Sequence, residues 1–339
     1  MAVFLPACRR SEAPPTVWPP RAGWVETACY KKPGPWVIGR SGRGDTTAWM
    51  VMLSAHIEYG IKEKYRAAFR DYFSILANWD PNKQIEDIES LLAQKIDLLL
   101  IDPMDHAAVK AGVERAMQAG VPVILASTRV RSEQYVSWVS TDEEERGAAC
   151  ADWLCDRVPK GHIVVMASTP AAGDENVWLV ALRRRIEAYS HSRQLTVLRC
   201  PWSSLEAQKA LAAVLKSAPV DGVIVNNGVL GRGAVQAFVD HGAAIPPLAG
   251  ADDWNGWLRT AKEYNVHFFA LSGGANLGLR CVELAMQVLS GQAVPRYMAF
   301  PYETFDEAAL DRYYRPDLSD HYWAINDLPS AWIEKMFKP

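Results

Sequence analysis

The sequence predicts an α/β protein with two similar lobes, each a doubly wound parallel sheet covered by helices on both faces. Two observations carry this prediction. Short, nearly continuous apolar runs alternate with segments of helical periodicity, and the whole alternation then starts a second time. A chain of 339 residues with 49% hydrophobic residues is also long enough for two domains, each with its own core.

The first unit begins with the β-rich run WVIGR at Trp36, which is followed by an amphipathic stretch through Lys64. The runs YFSILA, IDLLLID and VPVILAS supply its further strands. Between these runs, apolar spacing predicts one helix over residues 81–94 and a second helix that ends at Gly120, where glycine suits a C-cap.

The second unit repeats this order. YVSWVS leads into a helix from Asp142, and the later runs HIVVMAS, LTVLRC, VDGVIVNN, PPLAGADDW and VHFFALS alternate with helical segments. Ligands of open parallel sheets bind beyond the carboxyl ends of the strands, so the loops after the strands form the predicted site. These loops contain Ser41 to Trp49, Trp79, Asp102, Ser127 to Arg129, Ser168 to Trp178, Asn226, Asn227, Asp252 to Trp254, and Ser272.

The loop after the first strand, GRSGRGDTTAW, has the spacing of a phosphate-binding P-loop, but Asp45 stands where a P-loop has lysine. A carboxylate there repels the phosphate oxygens that the lysine neutralises. The glycines also differ from the G-x-G-x-x-G order of dinucleotide sites. We therefore expect no nucleotide hydrolysis, no dinucleotide binding and no cofactor.

A neutral, polyhydroxylated ligand suits the same loops better. Carboxylates and amides exchange hydrogen bonds with vicinal hydroxyl groups, arginine supplies a fork of donors, and indole faces pack on the C–H faces of sugar rings. The residues that form such a set are Asp45, Arg129, Asn176, Asn227 and Asp252 with Trp49, Trp178 and Trp254. Packing in the core is the alternative for each tryptophan.

Composition and spacing argue against several other classes. The formal net charge of -3, without a block of like charge, gives no electrostatic footprint for nucleic acid. The longest apolar runs fall far short of the roughly 20 residues of a membrane-spanning helix. The six cysteines show no C-x-x-C spacing, which favours free thiols over a metal or redox site. No catalytic motif appears, and the adjacent acids Asp252 and Asp253 are expected to diverge in direction, so we expect no enzyme.

The N-terminal segment predicts an anchor and a tether. Leu5-Pro6-Ala7-Cys8 resembles the lipobox of bacterial lipoproteins, although the basic region and most of the apolar region of such a signal are missing. We expect Cys8 to be lipidated once an upstream signal is included, and a chance match is the alternative. From there to Pro35 the chain is rich in proline and lacks periodicity, which predicts a tether over residues 1–35.

Longer segments resemble one known family. The segments are ANWDPNKQIEDIESLLAQKIDLLLIDPMDHAAVKAGVERAMQAGVPVILAS, VSTDEEERGAACADWL, VIVNNGVLGRGAVQAF and LAGADDW. In the same order, they resemble segments of type I periplasmic substrate-binding proteins, the ribose-binding-protein-like family that serves ABC transporters for sugars. The resemblance covers roughly residues 36–301. The ending LDRYYRPDLSDHYW resembles a sub-branch of these carbohydrate binders with a longer C-terminal extension.

The resemblance implies ligand contacts at Trp49, Arg129, Asn227 and Asp252. The chain departs from the family pattern in three loops. It has Ser127-Thr128-Arg129 in place of an Asp-Arg pair, Asn176 and Trp178 in place of an arginine, and Ser272 in place of glutamine or asparagine. The full set of predicted ligand-binding residues is Ser41, Asp45, Trp49, Trp79, Ser127, Arg129, Asn176, Trp178, Asn227, Asp252, Trp254 and Ser272.

The resemblance also implies an architecture and a function. Lobe one is expected at residues 36–139 plus 273–298 and lobe two at 140–271 plus 302–339, with hinge crossovers near Val139, Ser272 and Ala299. We expect an extracytoplasmic monomer that closes around a neutral sugar or polyol and delivers it to an ABC transporter permease. The alternative is a ligand-binding partner of a membrane sensor. A lac-repressor-type regulator is disfavoured because residues 1–35 contain no helix pair.

Overall fold

A computed structural model describes residues 23–104, 107–168, 176–189 and 193–338. The predicted lipidation site at Cys8, and residues 169–175 of one predicted ligand loop, lie outside these ranges. The described strands are β1 (Trp24–Val25), β2 (Trp36–Gly42), β3 (Phe69–Leu76), β4 (Leu98–Ile101), β5 (Val123–Ala126), β6 (Ser137–Thr141), β7 (Gly161–Ser168), β8 (Arg193–Cys200), β9 (Gly222–Val225), β10 (Leu248–Ala251), β11 (Phe268–Leu271), β12 (Val294–Pro295), β13 (Tyr297–Phe300) and β14 (Thr304–Asp306).

Helices follow most of the strands, as the alternation predicts. The described α-helices are α1 (Ala48–Tyr59), α2 (Pro81–Ala93), α3 (Lys110–Gln118), α4 (Glu143–Arg157), α5 (Val177–Ala188), α6 (Ser204–Leu215), α7 (Gly228–His241), α8 (Asn255–Glu263), α9 (Leu277–Leu289), α10 (Leu310–Tyr313) and α11 (Ser330–Phe337). Several begin at a side-chain cap: the Asp80 carboxylate accepts from two backbone N–H groups of α2, and the Asn227 amide oxygen accepts from Leu230 in α7.

Two six-stranded sheets confirm the predicted fold class. The first sheet has the order β3-β2-β4-β5-β6-β13, and every pair in it is parallel. The second has the order β8-β7-β9-β10-β11-β14 and is parallel except for its last pair, β11 with β14. Each lobe therefore repeats the same strand order.

Both faces of each sheet are buried, which explains why the strands are continuous apolar runs. In β4, Leu98 and Leu100 pack with the cluster under α1 and α9, while Leu99 and Ile101 pack with the cluster under α2 and α3. Val164 and Val165 of β7 divide in the same way between the two cores of the second lobe. An alternating strand would leave polar side chains in one of these cores.

The chain passes between the two sheets at three junctions that lead from one lobe to the other. These are the junctions of β6 with α4, β11 with α9, and β13 with β14. At the second junction Gly274 has φ of 67°, a conformation that favours glycine. A Cβ atom there would lie 2.8 Å from the Thr141 methyl group, at the end of β6, so two crossovers lie in contact.

The tether predicted over residues 1–35 extends farther than the structure supports. β1 pairs with β12, and Val25 and Tyr30 pack against the core of the first lobe. The buried Thr27 hydroxyl donates a hydrogen bond of 2.5 Å to the carbonyl of Gln292. Residues 24–30 are therefore part of the first lobe, a result that proline content could not indicate.

The C-terminal extension does not belong to the second lobe alone. β14 and α10 pack on lobe two, but α11 packs against α1 of lobe one, where the rings of Trp332 and Tyr59 lie 5.8 Å apart. A separate core cluster contains Met52 and Ala55 of α1 together with the C-terminal side chains Leu318, Tyr322, Trp323, Leu328 and Phe337. The chain thus makes a fourth passage between the lobes.

Candidate functional site

Three neighbouring strands of lobe one end in a hydrogen-bonded set of polar side chains. Arg43 follows β2, Asp102 follows β4, and Thr128 lies two residues after β5. The Nε atom of Arg43 donates to Asp102 Oδ2 at 2.8 Å, and its Nη2 atom donates to Asp102 Oδ1 and to Thr128 Oγ1, the latter at 2.8 Å. This fork places a fixed cation and a fixed anion at one edge of the sheet.

Helix α2 holds the Asp102 loop in place. The buried Gln84 side chain donates to the Asp102 carbonyl at 2.9 Å and accepts from the backbone N–H of Met104 at 2.9 Å. The Asp102 side chain is only 2% exposed, so its charge requires the arginine. Both Arg43 and Asp102 lie in the strand-end loops of the predicted site, but neither is among the twelve residues predicted to bind the ligand. An acid directly after an apolar strand was the available signal.

Asp45 lies farther along the first loop and has a different partner. It accepts a hydrogen bond of 2.5 Å from the Ser54 hydroxyl, which also accepts from the buried Arg40 at 2.7 Å. The Arg40 Nη2 atom lies 3.9 Å from the Asp45 carboxylate. Asp45 therefore compensates a buried arginine, and the remaining exposed part of its side chain is what a ligand could contact.

Arg129 points to a partner within its own loop. Its Nη2 atom donates to Glu133 Oε1 at 2.6 Å, and the Glu133 side chain is 64% exposed. Ser127 precedes it with φ of 61°, and its carbonyl accepts from the Trp138 indole at 3.0 Å. The guanidinium that meets the strand-end carboxylate of lobe one is thus that of Arg43, not that of Arg129.

Two tryptophans of the predicted set flank the first loop. The indole N–H of Trp49 donates to the carbonyl of Gly273 at 2.8 Å, which ties α1 to the second crossover. Trp79 is 44% exposed, and its indole N–H donates to the Thr46 hydroxyl at 2.6 Å. Trp79 therefore offers a ring face to a ligand, whereas Trp49 also packs within the core clusters around α1.

Lobe two places a second polar set at the matching strand ends. Ser168, Asn226 and Asp252 end or follow β7, β9 and β10, which are neighbours in the sheet. Asn226 joins two of these ends, because its Oδ1 atom accepts from the Ser168 N–H at 3.1 Å and its Nδ2 atom donates to Ser168 Oγ at 3.0 Å. The side-chain amide of the buried Asn227 donates to Asn226 Oδ1 at 3.0 Å.

Asp252 is 5% exposed and already accepts two hydrogen bonds. They come from the backbone N–H groups of Gly228 at 2.9 Å and Trp254 at 3.3 Å. Burial raises the pKa of Asp252 to about 6, while these N–H groups and the charge of Arg146 act in the opposite direction. Arg146 is buried on α4, and its Nη1 atom donates to the Ser272 carbonyl at 2.6 Å.

The neighbouring Asp253 diverges from Asp252, as expected for adjacent residues. Its carboxylate accepts from the backbone N–H of Gly273 and of Ile325, both at 2.7 Å. Burial raises the pKa of Asp253 to about 7, and the charge of Asp252 adds to this shift. The residue therefore joins the second crossover to the C-terminal extension.

Several predicted site residues have structural surroundings that leave little for a ligand. Trp178 is 3% exposed within a core of lobe two, and Ser41 is fully buried within β2, so burial argues against both as ligand contacts. Asn176 caps α5 by accepting from Leu179 at 3.1 Å. Trp254 is half-buried and forms a bridge with Trp323.

The polar groups of Ser272 also have hydrogen-bond partners within the fold. Its hydroxyl accepts from the Glu303 N–H at 2.9 Å, and its own N–H donates to the Glu303 carbonyl at 2.8 Å, which joins two crossovers. We therefore assign Ser272 to the hinge. Periodicity could place each of these residues after a strand or in a loop, but it could not tell which direction the side chain takes.

The two polar sets consist of paired charged groups, amides and hydroxyl groups. Among the described residues, no group of three or more His, Cys, Asp and Glu side chains could hold a metal ion. The same part of the chain contains no helix that is both long and apolar enough to cross a membrane. Within those ranges five cysteines are unpaired, and Cys150, Cys155, Cys200 and Cys281 are buried.

A family model described as periplasmic binding protein domain matches residues 49–293. This chain belongs to the periplasmic binding protein family. It is 24% identical over 291 residues to the ribose import binding protein of Bacillus subtilis, and this match covers 81% of this chain and 92% of the relative. It is also 24% identical to the xylitol-binding protein of Mycolicibacterium smegmatis, where the match spans 55% of this chain and about half of the relative, 54%.

Solved structures of other proteins have the same fold. A periplasmic ribose ABC transporter protein from Conexibacter woesei has a TM-score of 0.74 at 21% identity, covering 83% of this chain and 95% of that one. A solute-binding protein from Thermobispora bispora has a TM-score of 0.72 at 23% identity, covering 89% and 95%. The resemblance to type I periplasmic sugar-binding proteins is confirmed. This family consists of extracytoplasmic substrate-binding transport proteins, which are not enzymes.

Proposed function

We propose that this protein binds a neutral monosaccharide or polyol between its lobes and delivers it to the permease of an ABC transporter. The observation that carries the proposal is the matched pair of polar sets at the strand ends. Lobe one presents Arg43, Asp102 and Thr128, and lobe two presents Asn226 and Asp252. Together they alternate donors and acceptors, which vicinal hydroxyl groups can satisfy.

The charge balance of these loops favours a neutral ligand over a phosphate. Four arginines near the candidate site each have a carboxylate within 4 Å. The pairs are Arg40 with Asp45, Arg43 with Asp102, Arg129 with Glu133, and Arg146 with Glu143. A phosphate site needs positive charge that is not already compensated. A neutral sugar needs none, and gains directional hydrogen bonds from the pairs.

The bilobal fold supplies the mechanism of capture. The two polar sets lie on different lobes, so one ligand contacts both only when the lobes are closed. The closed form therefore binds more tightly than the open form, and this difference shifts the population of lobe angles. Trp79, at the rim of lobe one with an exposed ring, is the aromatic residue of the predicted set best placed to pack on a sugar face.

The names of the relatives support an importer. The curated relatives include ribose, D-xylose and xylitol binders, and a solved structure with a TM-score of 0.71 is a fructose-binding periplasmic domain of a hybrid two-component system. The last likeness supports a second candidate function, in which the loaded protein signals to a membrane sensor. Both functions share the ligand and differ in the membrane partner.

A thermal-shift screen tests the ligand class. The purified protein is melted with pentoses, hexoses, deoxy sugars and polyols, and with ATP and GTP as phosphate controls. A ligand at a hundred times its dissociation constant stabilises the folded state by about 2.7 kcal/mol, a shift of a few degrees. Hits are confirmed by calorimetry. Tight binding of ATP or GTP without a response to any sugar or polyol would overturn the proposal.

The membrane partner is tested in cells that lack the gene. Uptake of the radiolabelled ligand should fall in the deletion strain and return with the intact gene. A strain with normal uptake that no longer induces a transcriptional response to the ligand would favour the sensor instead.

A further inference from the structure

The chain makes a fourth passage between the lobes near its C-terminus, in addition to the three crossovers of the hinge. After α10, residues 314–325 are hydrogen-bonded to lobe two, with Leu318, Tyr322 and Trp323 also packed in the cluster with α1, and residues 326–338 lie against lobe one. We call residues 314–338 the C-terminal clasp. Its two halves are anchored by different chemistry.

The lobe-two half covers the N-terminal end of α8. The backbone N–H of Asn255 donates to the Tyr322 carbonyl at 2.8 Å, and its side-chain amide donates to carbonyls of Arg315, Leu318 and Ser319. Arg259 on α8 holds Asp320 with an Nε–Oδ1 distance of 2.8 Å. The first N–H groups of α8, which a helix leaves unpaired, are thus satisfied by the clasp.

The lobe-one half is anchored on α1 and on the start of α9. The backbone N–H of Asp327 donates to Nε2 of the buried His56 at 3.1 Å, and the Asn276 side chain donates to the Asp327 carboxylate at 2.9 Å. Trp332 packs edge-on against Tyr59. Between the anchors the clasp is folded on itself, since the Ser319 N–H donates to the Phe337 carbonyl at 2.8 Å.

One carboxylate connects the clasp to the hinge. Asp253 accepts from Ile325 in the clasp and from Gly273 in the second crossover, and Trp49 donates to the carbonyl of the same Gly273. A rotation of the lobes changes the separation of α1 from α8, so it must stretch the clasp or break one of its anchors. A short, doubly anchored segment resists that change far more than three flexible crossovers do.

We propose that the C-terminal clasp restrains the opening of the hinge, so that the ligand-free protein samples a narrower range of lobe angles than three crossovers alone would allow. This inference rests on the proposed hinge closure, but it concerns the ligand-free molecule. It predicts that release of the lobe-one anchors widens the opening while both lobes stay folded.

Distances between the lobes in the ligand-free protein test this. Nitroxide labels are placed by Glu86→Cys on α2 and Lys209→Cys on α6, both exposed positions, in a background with Cys8→Ser and Cys29→Ser. Pulsed electron–electron double resonance then gives the distribution of distances between the two labels. No ligand is required, so the outcome does not depend on whether any sugar binds.

The test variant is Tyr59→Ala with Asn276→Ala, which removes two lobe-one anchors and leaves the lobe-two contacts intact. Asn276→Ala alone serves where the double variant does not fold. The matched control is Tyr189→Ala, which removes a tyrosine whose hydroxyl donates to Asp152 of α4 at 2.9 Å inside lobe two, away from the crossovers. Circular dichroism and melting confirm that each variant is folded.

We expect the test variant to show a wider distribution of label-to-label distances than the parent protein, and a longer mean distance. The control should keep the parent distribution, even where its melting temperature falls. A test variant with the parent distribution would overturn the proposal and make the clasp a stabilising extension only. Equal widening in the control would also overturn it, because the effect would then be general loosening.

Discussion

Arg43 provides the sharpest test of the proposed site, because the sequence singles out Arg129 instead. The substitution Arg43→Lys keeps a positive charge beside the buried Asp102 but loses the planar fork that reaches both Asp102 and Thr128. Arg129→Lys is the matched control, since this arginine also lies in a lobe-one loop after a strand but pairs with the exposed Glu133.

The magnitudes differ because the two arginines have different surroundings. Loss of one charge-assisted hydrogen bond to a ligand in a closed cleft costs about 1.5–3 kcal/mol, which is roughly a tenfold to 150-fold loss of affinity. The fold loses the hydrogen bond to Thr128, about 1 kcal/mol. The mostly buried Arg129 side chain donates to the exposed Glu133, so Arg129→Lys should lower the affinity by less than about 1 kcal/mol, or about fivefold.

Calorimetric titration with the sugar or polyol found in the thermal-shift screen measures both affinities, and chemical denaturation measures the stability of the same preparations. A larger loss of affinity in Arg129→Lys than in Arg43→Lys would refute the assignment of the lobe-one subsite. A large loss of stability in Arg43→Lys with unchanged affinity would assign the residue to the fold alone.

Asp253, Gly250 and Cys8 provide further tests. Burial raises the pKa of Asp253 to about 7, so from about pH 8 to about pH 6 the folded protein takes up a proton that the unfolded chain does not. Denaturation should show the unfolding free energy rising by about 1 kcal/mol as the pH falls, and Asp253→Asn should lose most of this rise, with the raised pKa of Asp252 accounting for the rest. In thermal melts, Gly250→Ala should destabilise more than Gly242→Ala: both have positive φ, but only at Gly250 would a Cβ meet the Val225 carbonyl oxygen, at 1.9 Å. Mass spectrometry of the native protein should find a chain that starts at Cys8 with acyl mass, and an unmodified thiol there would contradict lipidation.

The strands and their order of appearance follow from local pattern. Runs such as LLLI in β4 are apolar at every position because both faces of the sheet are buried, and this property is visible in the letters. The same holds for the helix caps, since Asp80 and Asn227 are residue types that satisfy free N–H groups. Strand-end loops were therefore located correctly as groups.

Side-chain direction within those loops was not visible in the sequence. Trp178 and Asn176 lie in the same short stretch, yet one packs in a core and the other caps a helix. Asp252 was expected in the cleft, and the structure shows it also bonded to Gly228, which comes from another strand end. Such partners depend on which strands become neighbours.

By itself, the sequence determined the class of the fold, the two repeating units and the family, because periodicity and local motifs are carried by residues close together in the chain. Only the tertiary structure decided which arginine meets Asp102, since Arg43 lies 59 residues away from it and Arg129 was the nearer choice. It alone revealed the clasp, where His56 and Asp327 meet across 271 residues. Contacts of that range are set by how the lobes pack, and no local pattern encodes them.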